Sequence, residues 1–433
     1  MTDKQALAGK RLLFLGSTPN IASMVRIARG LGVYTIVTDN KKLENAPAKQ
    51  IADEYASVSL ADIEAVAELI REKHIDGVLT GFSDSYLQYY EAVCERAGLP
   101  CYGNGRAFGI GTNKMLFKQA CEEMQVGTIP GVSSTSFNEI AAFAQRTGYP
   151  LMLKPVDNSG SRGVIKCERA EELRSAYEYA LSFSATGNVI CERFMDCDGI
   201  SVSYQLIDGE AYLSSVCDRS NYYSAEGGSS ITGDLVYPSE YTARYVAEMD
   251  EPVKRMLAAN GFRHGMVSLQ SFVDDAGFYM CEMCYRPSGG NHYLVINDQN
   301  GIDSMELLIE FAVTGHVEGY DPQRETPFFH DYCAMAQIVG RQTEIVAKAE
   351  GVEAVRSLPG VIAVTQTLRE GEKVGKAGTT ASVLVKVWFK APQVKGLQEM
   401  YDRINALLCF ENAAGESLIV EREFCELKRN LFA

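Results

Sequence analysis

The sequence predicts an α/β protein built from several domains. Three observations support this: strands and helices alternate over about residues 1–105, they mix from about 115 to 315, and a strand with alternating apolar and polar residues (ASVLVKVWFK) precedes an amphipathic helix near the end. The chain has 433 residues, and at roughly 100–200 residues per domain this suggests two to four domains. Hydrophobic residues make up 46% of the chain, which is enough for large cores.

Charge and hydropathy disfavour two classes of partner. The formal net charge is −15, which disfavours binding to the phosphate backbone of a nucleic acid. No apolar run reaches the ~18 residues of a membrane span, and the first twenty residues lack the apolar core of a secretory signal. We therefore expect a cytoplasmic protein that needs no membrane, with its 12 cysteines as reduced thiols.

The first 105 residues predict a doubly wound parallel sheet, because three short apolar runs each precede a segment with helical spacing. The predicted strands are 11–16 (RLLFLG), 34–39 (YTIVTD) and the start of 76–84 (DGVLTGFSD). The predicted helices are 21–32 (IASMVRIARGLG), 62–75 (DIEAVAELIREKHI) and 85–98 (SYLQYYEAVCERAG).

The turn after the first strand is GSTPN, which lacks the G-x-G-x-x-G spacing of a dinucleotide site, so NAD or FAD binding is excluded there. Asp39 ends the second strand, where a ribose-binding acid could lie. Without the glycines, we interpret Asp39 as a loop or cap aspartate. The chain also has no G-x-x-x-x-G-K-[ST] segment, which excludes a P-loop.

Residues 151–164 (LMLKPVDNSGSRGV) have features of a phosphate site. A strand delivers Lys154, and the glycines that follow allow backbone N–H groups to turn toward phosphate oxygens. An ordinary surface hairpin with an exposed lysine explains the segment equally well. The candidate loop residues are Ser159, Gly160, Ser161, Arg162 and Gly163.

A second candidate segment is NVICERFMDCDGISVSY, in which Glu192 lies late in an apolar strand and is followed by Phe194 and Met195. An adenine ring needs an acceptor for its amino group and apolar contacts on its faces, which such a strand end supplies. Taken alone, the segment favours a simpler interpretation, a strand end with a solvated Glu-Arg pair.

A third segment, MVSLQSFVDDAGFYMCEMCY, predicts a hairpin. If residues 275–277 form a three-residue loop with Gly277 in the left-handed region, Asp274 pairs with Phe278. Counting along both strands then places Gln270 opposite Glu282. These two side chains make an oxygen pair that could hold Mg²⁺ together with waters and phosphate oxygens.

The same register places Ser268 opposite Cys284 on that face and turns Cys281 to the other face. The C-x-x-C pair is therefore badly placed to bind one zinc ion, and a lone C-x-x-C is weak support for a metal in any case. Arg286 follows the strand, where it could stabilise a phosphoryl group.

The order of these segments resembles that of the ATP-grasp superfamily: a lysine with a Gly-rich loop, a strand-end glutamate, then a carboxylate hairpin followed by RPSGG. The segments LGVYTIVTD, IDGVLTGFSD and AGLPCYG resemble the Rossmann-like domain that precedes it. The resemblance covers about residues 10–315 and is closest to the carbamoyl-phosphate-synthase-like and L-amino-acid-ligase branches. It implies domains at 1–112, 113–320 (with a mobile lid at about 125–195) and 321–433, the last a small α+β domain.

The resemblance also implies roles. Lys114 and Lys154 would contact ATP phosphates, beneath a mobile loop at 159–163. The adenine would be held by Glu192 and by the backbone of Arg193, Phe194 and Met195. Mg²⁺ (or Mn²⁺) would bind Gln270 and Glu282, and Arg286 would steady an acyl phosphate.

Two positions depart from the family pattern. Family members usually carry E-x-N on the metal strand, and this chain has Cys284 in place of the asparagine, although a neutral thiol is a poor ligand for a hard cation. The ribose-binding acid is expected near Gly199. Asp196 or Asp198 could replace it.

The implied function is an ATP-dependent ligase that joins a small carboxylate to an amine, with amino acids as candidate substrates, through an acyl phosphate. One alternative is a nucleotide-binding relative with weakened or lost catalysis. Another is carboxylation, or acyl-phosphate chemistry with a non-amine nucleophile. Residues 218–230 (DRSNYYSAEGGSS) suit a small polar pocket or an ordinary surface loop. The C-terminal domain is expected to supply either a wall of the pocket or a homodimer contact.

Overall fold

The computed structural model describes residues 4–157, 162–223, 230–422 and 424. Its N-terminal part is a four-stranded sheet with strand order β3-β2-β1-β4, in which every pairing is parallel. The predicted parallel sheet is therefore confirmed. The strands are β1 (Arg11–Leu15), β2 (Tyr34–Thr38), β3 (Glu54–Ala56) and β4 (Gly77–Leu79), and the helices are α1 (Lys4–Leu7), α2 (Pro19–Gly30), α3 (Ile63–Glu72) and α4 (Leu87–Ala97).

The GSTPN turn is a helix start. Thr18 caps α2 by accepting a hydrogen bond from the amide of Ile21, and Pro19 occupies the first helical turn. The buried Asp39 carboxylate accepts hydrogen bonds from the amides of Ser17 and Lys41, at 2.9 and 2.8 Å. Asp39 is therefore a loop aspartate, which agrees with its interpretation as a loop or cap aspartate.

A second sheet follows two helices and has its own hydrophobic core. Its strand order is β5-β8-β6-β7, all antiparallel, and α7 and α8 pack on it. It lies within the segment expected to be the lid. The elements are α5 (Gly105–Thr112), α6 (Lys114–Glu123), β5 (Gly131–Ser134), α7 (Phe137–Thr147), β6 (Leu151–Pro155), β7 (Ile165–Cys167), α8 (Leu173–Leu181) and β8 (Val189–Arg193).

An eight-stranded sheet with order β13-β12-β9-β10-β11-β14-β17-β16 forms the centre of the molecule. Its last three strands come from the C-terminal part, which has a separate core but no separate large sheet among the described residues. The elements are β9 (Asp198–Ile207), β10 (Glu210–Tyr223), β11 (Ser230–Tyr237), α9 (Thr242–Glu248), α10 (Asp250–Ala259), β12 (Gly265–Asp274), β13 (Gly277–Tyr285), α11 (His292–Asn300), α12 (Ser304–Thr314), β14 (Tyr332–Val339), β15 (Lys348–Glu350), α13 (Val352–Arg356), β16 (Val361–Gln366), β17 (Val383–Ala391), α14 (Val394–Leu407) and β18 (Cys409–Glu411).

The C-terminal strand β17 lies in the interior of this sheet, between β14 and β16. Side chains on both of its faces are therefore buried, including Trp388 and Phe389, each fully covered. The apolar–polar alternation expected for this strand is wrong for that reason, whereas the amphipathic helix that follows it is confirmed as α14. No helix in the described ranges combines the length and the apolar composition that crossing a bilayer requires.

Candidate active site

The hairpin of β12 and β13 places the predicted oxygen pair face to face. Asp274 pairs with Gly277, so the turn has two residues, and the predicted three-residue loop with a left-handed Gly277 is wrong. A register shift next to Gln270 adds one residue to β13 and compensates for the shorter turn. The predicted pairs of Gln270 with Glu282 and of Ser268 with Cys284 are therefore confirmed.

The extra residue is Cys281, which forms a β-bulge. Up to the bulge, the partly exposed residues of β13 are 277, 279 and 281. After the bulge they are 282 and 284. The neighbours Cys281 and Glu282 therefore lie on the same face of the strand. The prediction that Cys281 faces away is wrong because a strand with a bulge does not keep strict alternation. Burial raises the pKa of the Cys281 thiol to about 11, although Arg219 and Lys154 oppose the rise.

The donor set fits a divalent cation with few protein ligands. Gln270 offers an amide oxygen and Glu282 a carboxylate, and a cation bound there would complete its shell with phosphate oxygens and waters. Burial raises the pKa of Cys284, so its thiol stays protonated and is a poor ligand for Mg²⁺. Within the described ranges, no group of three or more His, Cys, Asp or Glu side chains is placed to hold a metal by itself.

Arg286 is held by a carboxylate from the N-terminal part. Its Nε and Nη2 donate to the two oxygens of Asp84 at 2.6 and 2.8 Å, a bidentate ion pair. Burial alone would lower the pKa of Arg286, but Cys284 and Asp84 reverse this and raise it, so the guanidinium stays charged. Asp84 follows β4, at the carboxyl end of a parallel strand, which is where ligands gather in α/β sheets. Sequence reasoning missed it.

A cluster of one buried carboxylate and two ammonium groups joins α6 to the antiparallel sheet of β5 to β8. Glu192 is 6% exposed, with one oxygen 2.6 Å from Lys154 Nζ and the other 3.3 Å from Lys118 Nζ. Burial raises the pKa of Glu192, but the two lysines outweigh it and the net shift is downward. For Lys154, burial acts to lower the pKa and Glu192 raises it above its usual value. Glu192 and Lys154 are therefore both charged at neutral pH.

Sequence analysis overlooked Lys118. It lies four residues after Lys114 on α6, so both side chains project from one face of the helix. That spacing was the available signal. A solvated Glu192, the simpler interpretation of its segment, is wrong because β8 pairs on both sides and covers the side chain.

The segment after Glu192 has one amide that could hold a nucleotide base. The amides of Arg193 and Phe194 donate to the carbonyls of Pro130 and Pro150, at 3.0 and 3.2 Å. The amide of Met195 donates no hydrogen bond to a carbonyl among the described residues, and the Met195 side chain is buried. Asp196 is exposed and Asp198 begins β9, but the Asp198 side chain lies outside the described part of the structure.

A cleft of about 560 Å³ lies between the N-terminal part, α5, α6 and β13, with Asp157 and Arg162 from the segment after β6 also lining it. Lys114, Arg162, Glu282 and Arg286 line it. Gly163 closes the candidate phosphate loop with a φ of +77°, and a β-carbon there would lie 2.6 Å from Phe183, so glycine is required. Ser159, Gly160 and Ser161 lie outside the described residues.

A second cleft of about 360 Å³ lies on one face of the eight-stranded sheet. Seven strands of this sheet, β9 to β14 and β17, contribute residues to its wall. The C-terminal part lines this cleft with residues 378–380 and Lys386. It therefore supplies a wall of the pocket, which was one of its two expected roles beside a homodimer contact. Both clefts include residues 282–284 and Arg286, which form their common border.

The sequence of residues 113–286 matches the family model of the carbamoyl-phosphate synthase L chain ATP-binding domain. Curated relatives include the formate-dependent phosphoribosylglycinamide formyltransferases of Rhodococcus jostii (strain RHA1) and Wolinella succinogenes. The first is 26% identical over 287 residues, covering 64% of this chain and 69% of the relative. The second is 25% identical over 313 residues, covering 71% and 78%.

Solved structures share the fold over almost the whole chain. The L-amino acid ligase of Bacillus licheniformis superimposes with a TM-score of 0.75 at 17% identity, covering 94% of this chain and 99% of that one. The phosphoribosylglycinamide synthetase of Anaerococcus prevotii gives 0.73 at 16% identity, covering 93% and 99%. Another structural neighbour, the biotin carboxylase domain of the Hydrogenobacter thermophilus 2-oxoglutarate carboxylase, was solved with MgADP. The family match supports an ATP-binding domain of the ATP-grasp type at residues 113–286, and the solved structures show that the chain has the ATP-grasp fold.

Proposed function

We propose that this protein is an ATP-dependent carboxylate–amine ligase that forms an amide bond through an acyl phosphate and releases ADP and phosphate. The observation that carries the proposal is the common border of the two clefts. There the oxygen pair of Gln270 and Glu282 adjoins the charged guanidinium of Arg286. A nucleotide can approach from one cleft and a second substrate from the other.

The chemistry balances without a further reactant. A carboxylate oxygen of the acid attacks the γ-phosphorus of ATP, and ADP leaves. The amine then attacks the acyl carbon, and phosphate leaves with the oxygen that came from the acid. Bound Mg²⁺ would supply charge neutralisation for the phosphoryl oxygens.

In this proposal the residues of the chain position and neutralise the reacting groups. Lys114 and Lys154 contact phosphates, Arg286 faces the transferring group, and the closed lid excludes water from the acyl phosphate. When phosphates arrive, Lys154 exchanges part of its ion pair with Glu192 for them. Glu192 and the Met195 amide would then hold the base.

The curated relatives support a carboxylate and an amine as substrates. Their names state that formate is required and that a formyl group is transferred to phosphoribosylglycinamide. Formate is the smallest carboxylate, and a glycinamide offers an amine. We extend only this pairing of a small acid with an amine to the present chain.

The test is ADP release with Mg-ATP over pairs of small acids and amines, including formate and the amino acids. We expect release that requires both members of a pair, because the acyl phosphate forms only with an acid and is discharged only by an amine. ADP release that ignores every acid and amine would contradict the proposal. Bicarbonate-dependent release without an amine would instead indicate carboxylation.

Cys284 supports a second candidate, a nucleotide-binding relative with weakened or lost catalysis. Its protonated thiol stands where the family has an amide ligand, so the cation would have one protein ligand fewer. The Cys284→Asn variant separates the two candidates. Turnover by the wild type shows that the thiol is compatible with catalysis, whereas a silent wild type beside an active variant shows that catalysis was lost at this ligand.

We place this reaction in the cytoplasm. ATP is supplied there, and the 11 cysteines in the described part of the chain are all free thiols, as expected in a reducing compartment. A homodimer remains part of the proposal, with the C-terminal part as a candidate contact. Sedimentation of the purified protein would decide the oligomeric state.

A further inference from the structure

The smaller cleft carries positive charge that its described neighbours do not neutralise. Arg219 of β10 is 9% exposed, and its guanidinium donates to Asn221 Oδ1 at 3.1 Å while Nε lacks a partner. Lys386 of β17 is half-buried, and its ammonium donates to the carbonyl of Gly289 at 3.2 Å. Among the described residues, no carboxylate lies within 4.0 Å of either cation.

This arrangement differs from that of three other cations of the site. Arg286 is paired with Asp84, and Lys118 and Lys154 share Glu192. Lys386 has no such partner, and burial lowers the pKa of its ammonium group. Burying a cation removes part of its hydration, which costs free energy when no counter-charge replaces the water. An anion that binds beside the cation would offset this cost.

Lys386 is also held in place rather than left mobile. It contacts the RPSGG turn, and two residues further along β17 the indole Nε1 of Trp388 donates to the carbonyl of Gly290 at 3.2 Å. An ammonium group has three N–H donors, so Lys386 retains donors beyond its bond to Gly289. Ser201, Ser268 and Thr380 add hydroxyl groups to the same cleft.

We propose that the smaller cleft binds an anionic group of a substrate, a carboxylate or a phosphate, in addition to the carboxylate that reacts, with Arg219 and Lys386 as its cationic partners. The inference rests on the proposed function for the statement that a separate carboxylate reacts. Because Glu282 and Arg286 border both clefts, the anionic group lies beside the reacting atoms. Arg219 and Lys386 would then select among substrates without taking part in bond formation.

The first arm of the test measures anion binding without turnover. The full-length protein is saturated with Mg-ADP, and its Tm is followed against sodium phosphate or sodium acetate, with sodium chloride at equal ionic strength as reference. The variants are Lys386→Met, the charge-conserving Lys386→Arg, and Lys395→Met as a matched control. Lys395 is exposed on α14 and has no ion-pair partner among the described residues.

We expect phosphate, acetate or both to raise the Tm of the wild type, of Lys386→Arg and of Lys395→Met. In Lys386→Met the apparent Kd for that anion should rise about tenfold, as loss of one charge-assisted contact predicts. A response to phosphate alone would identify a phosphate-bearing substrate, and a response to acetate alone a carboxylate. Equal responses in Lys386→Met and the wild type, or no anion response in the wild type, would overturn the proposal.

The second arm uses turnover. The substrate pair that supports ADP release is compared with an analogue whose extra anionic group is amidated or removed, and the wild type should favour the anionic form through KM about tenfold. Lys386→Met should lose this preference, because its KM for the anionic form should rise toward its KM for the analogue. If no pair supports ADP release, the proposed ligase activity fails, yet the first arm still decides whether the anion site exists.

Discussion

At the scale of single residues, Glu192 is the most constrained charge of the site. It is buried between Lys154 and Lys118, and each of its oxygens has one ammonium partner. Removing one member of such a cluster leaves uncompensated buried charge, which costs more than the cluster itself contributes to stability. The same lysines are the groups that an incoming nucleotide phosphate would recruit, so the cluster stabilises the nucleotide-free protein and keeps its cations in position.

The Glu192→Gln variant should be less stable than the wild type by about 3 kcal/mol at neutral pH, because two buried ammonium groups lose their counter-charge. The folded-state pKa of Glu192 lies below its usual value of 4.5. Its contribution is therefore fully present above pH 4.5 and is lost as the pH falls through the lower folded-state pKa. Denaturant unfolding of both proteins across this range measures the difference, which should shrink in acid. A difference that stays constant down to acid unfolding would contradict this account.

Asp84 and Arg286 allow a matched pair of variants. Asp84→Asn should lower kcat about tenfold or more, because Arg286 loses the bidentate partner that orients it, while the Kd for Mg-ADP stays the same. Asp76→Asn is the control, since Asp76 is also 32% exposed and also paired, with Lys10, but lies away from both clefts. Equal losses of kcat in the two variants would show that Asp84 acts only through stability.

At the scale of elements, the β12–β13 hairpin determines which side chains reach the border of the clefts. The bulge at Cys281 moves Glu282 and Cys284 onto the partly exposed face and leaves Met283 and Tyr285 in the core. A shift of one residue after the bulge would exchange these two sets. The register of this hairpin is therefore a condition for the oxygen pair and for the position of Arg286.

Two deletions test the register. Deleting Cys281 removes only the extra residue, so Gln270 should still face Glu282, and the protein should remain folded at a cost of about 1–2 kcal/mol. Deleting Met283 moves Tyr285, which is fully buried, to the partly exposed face. This variant should not fold, so it should show no cooperative unfolding transition. Thermal unfolding distinguishes the outcomes. The assignment of Cys281 as the inserted residue would be wrong if its deletion were the more damaging one.

Part of the hairpin could be predicted from the sequence. The pairing of Gln270 with Glu282 follows from alternation and an approximate turn length. It was predicted correctly only because two errors cancelled: the turn is one residue shorter than predicted, and the bulge adds one residue to β13. A bulge has no distinct sequence signal in this strand. The face of Cys281 was therefore beyond prediction.

Contacts between distant segments could not be predicted either. Asp84 and Arg286 are 202 positions apart, and Lys118 and Glu192 are 74 apart. Local propensity and spacing carry no information about which strand ends meet in space. The sequence does show which chemical group lies at each strand end, and these groups were enough to propose the site.

At the scale of the whole molecule, one eight-stranded sheet carries both the proposed metal-binding strand and the C-terminal wall of the smaller cleft. The metal strand β13 lies at one edge of the eight-stranded sheet, and the C-terminal strand β17 lies next to the other edge. Both line the smaller cleft. If the proposed function holds, the C-terminal part could change substrate preference through this cleft without touching the proposed nucleotide site.

The central claim is that a carboxylate is activated as an acyl phosphate. The most direct measurement is turnover with the acid found by the ADP-release screen, labelled with ¹⁸O in its carboxylate, followed by mass spectrometry of the released phosphate. The account predicts one ¹⁸O atom in each phosphate, because the oxygen that attacks the γ-phosphorus leaves with it when the amine adds. Phosphate without ¹⁸O, released together with ADP and amide product, would contradict the account.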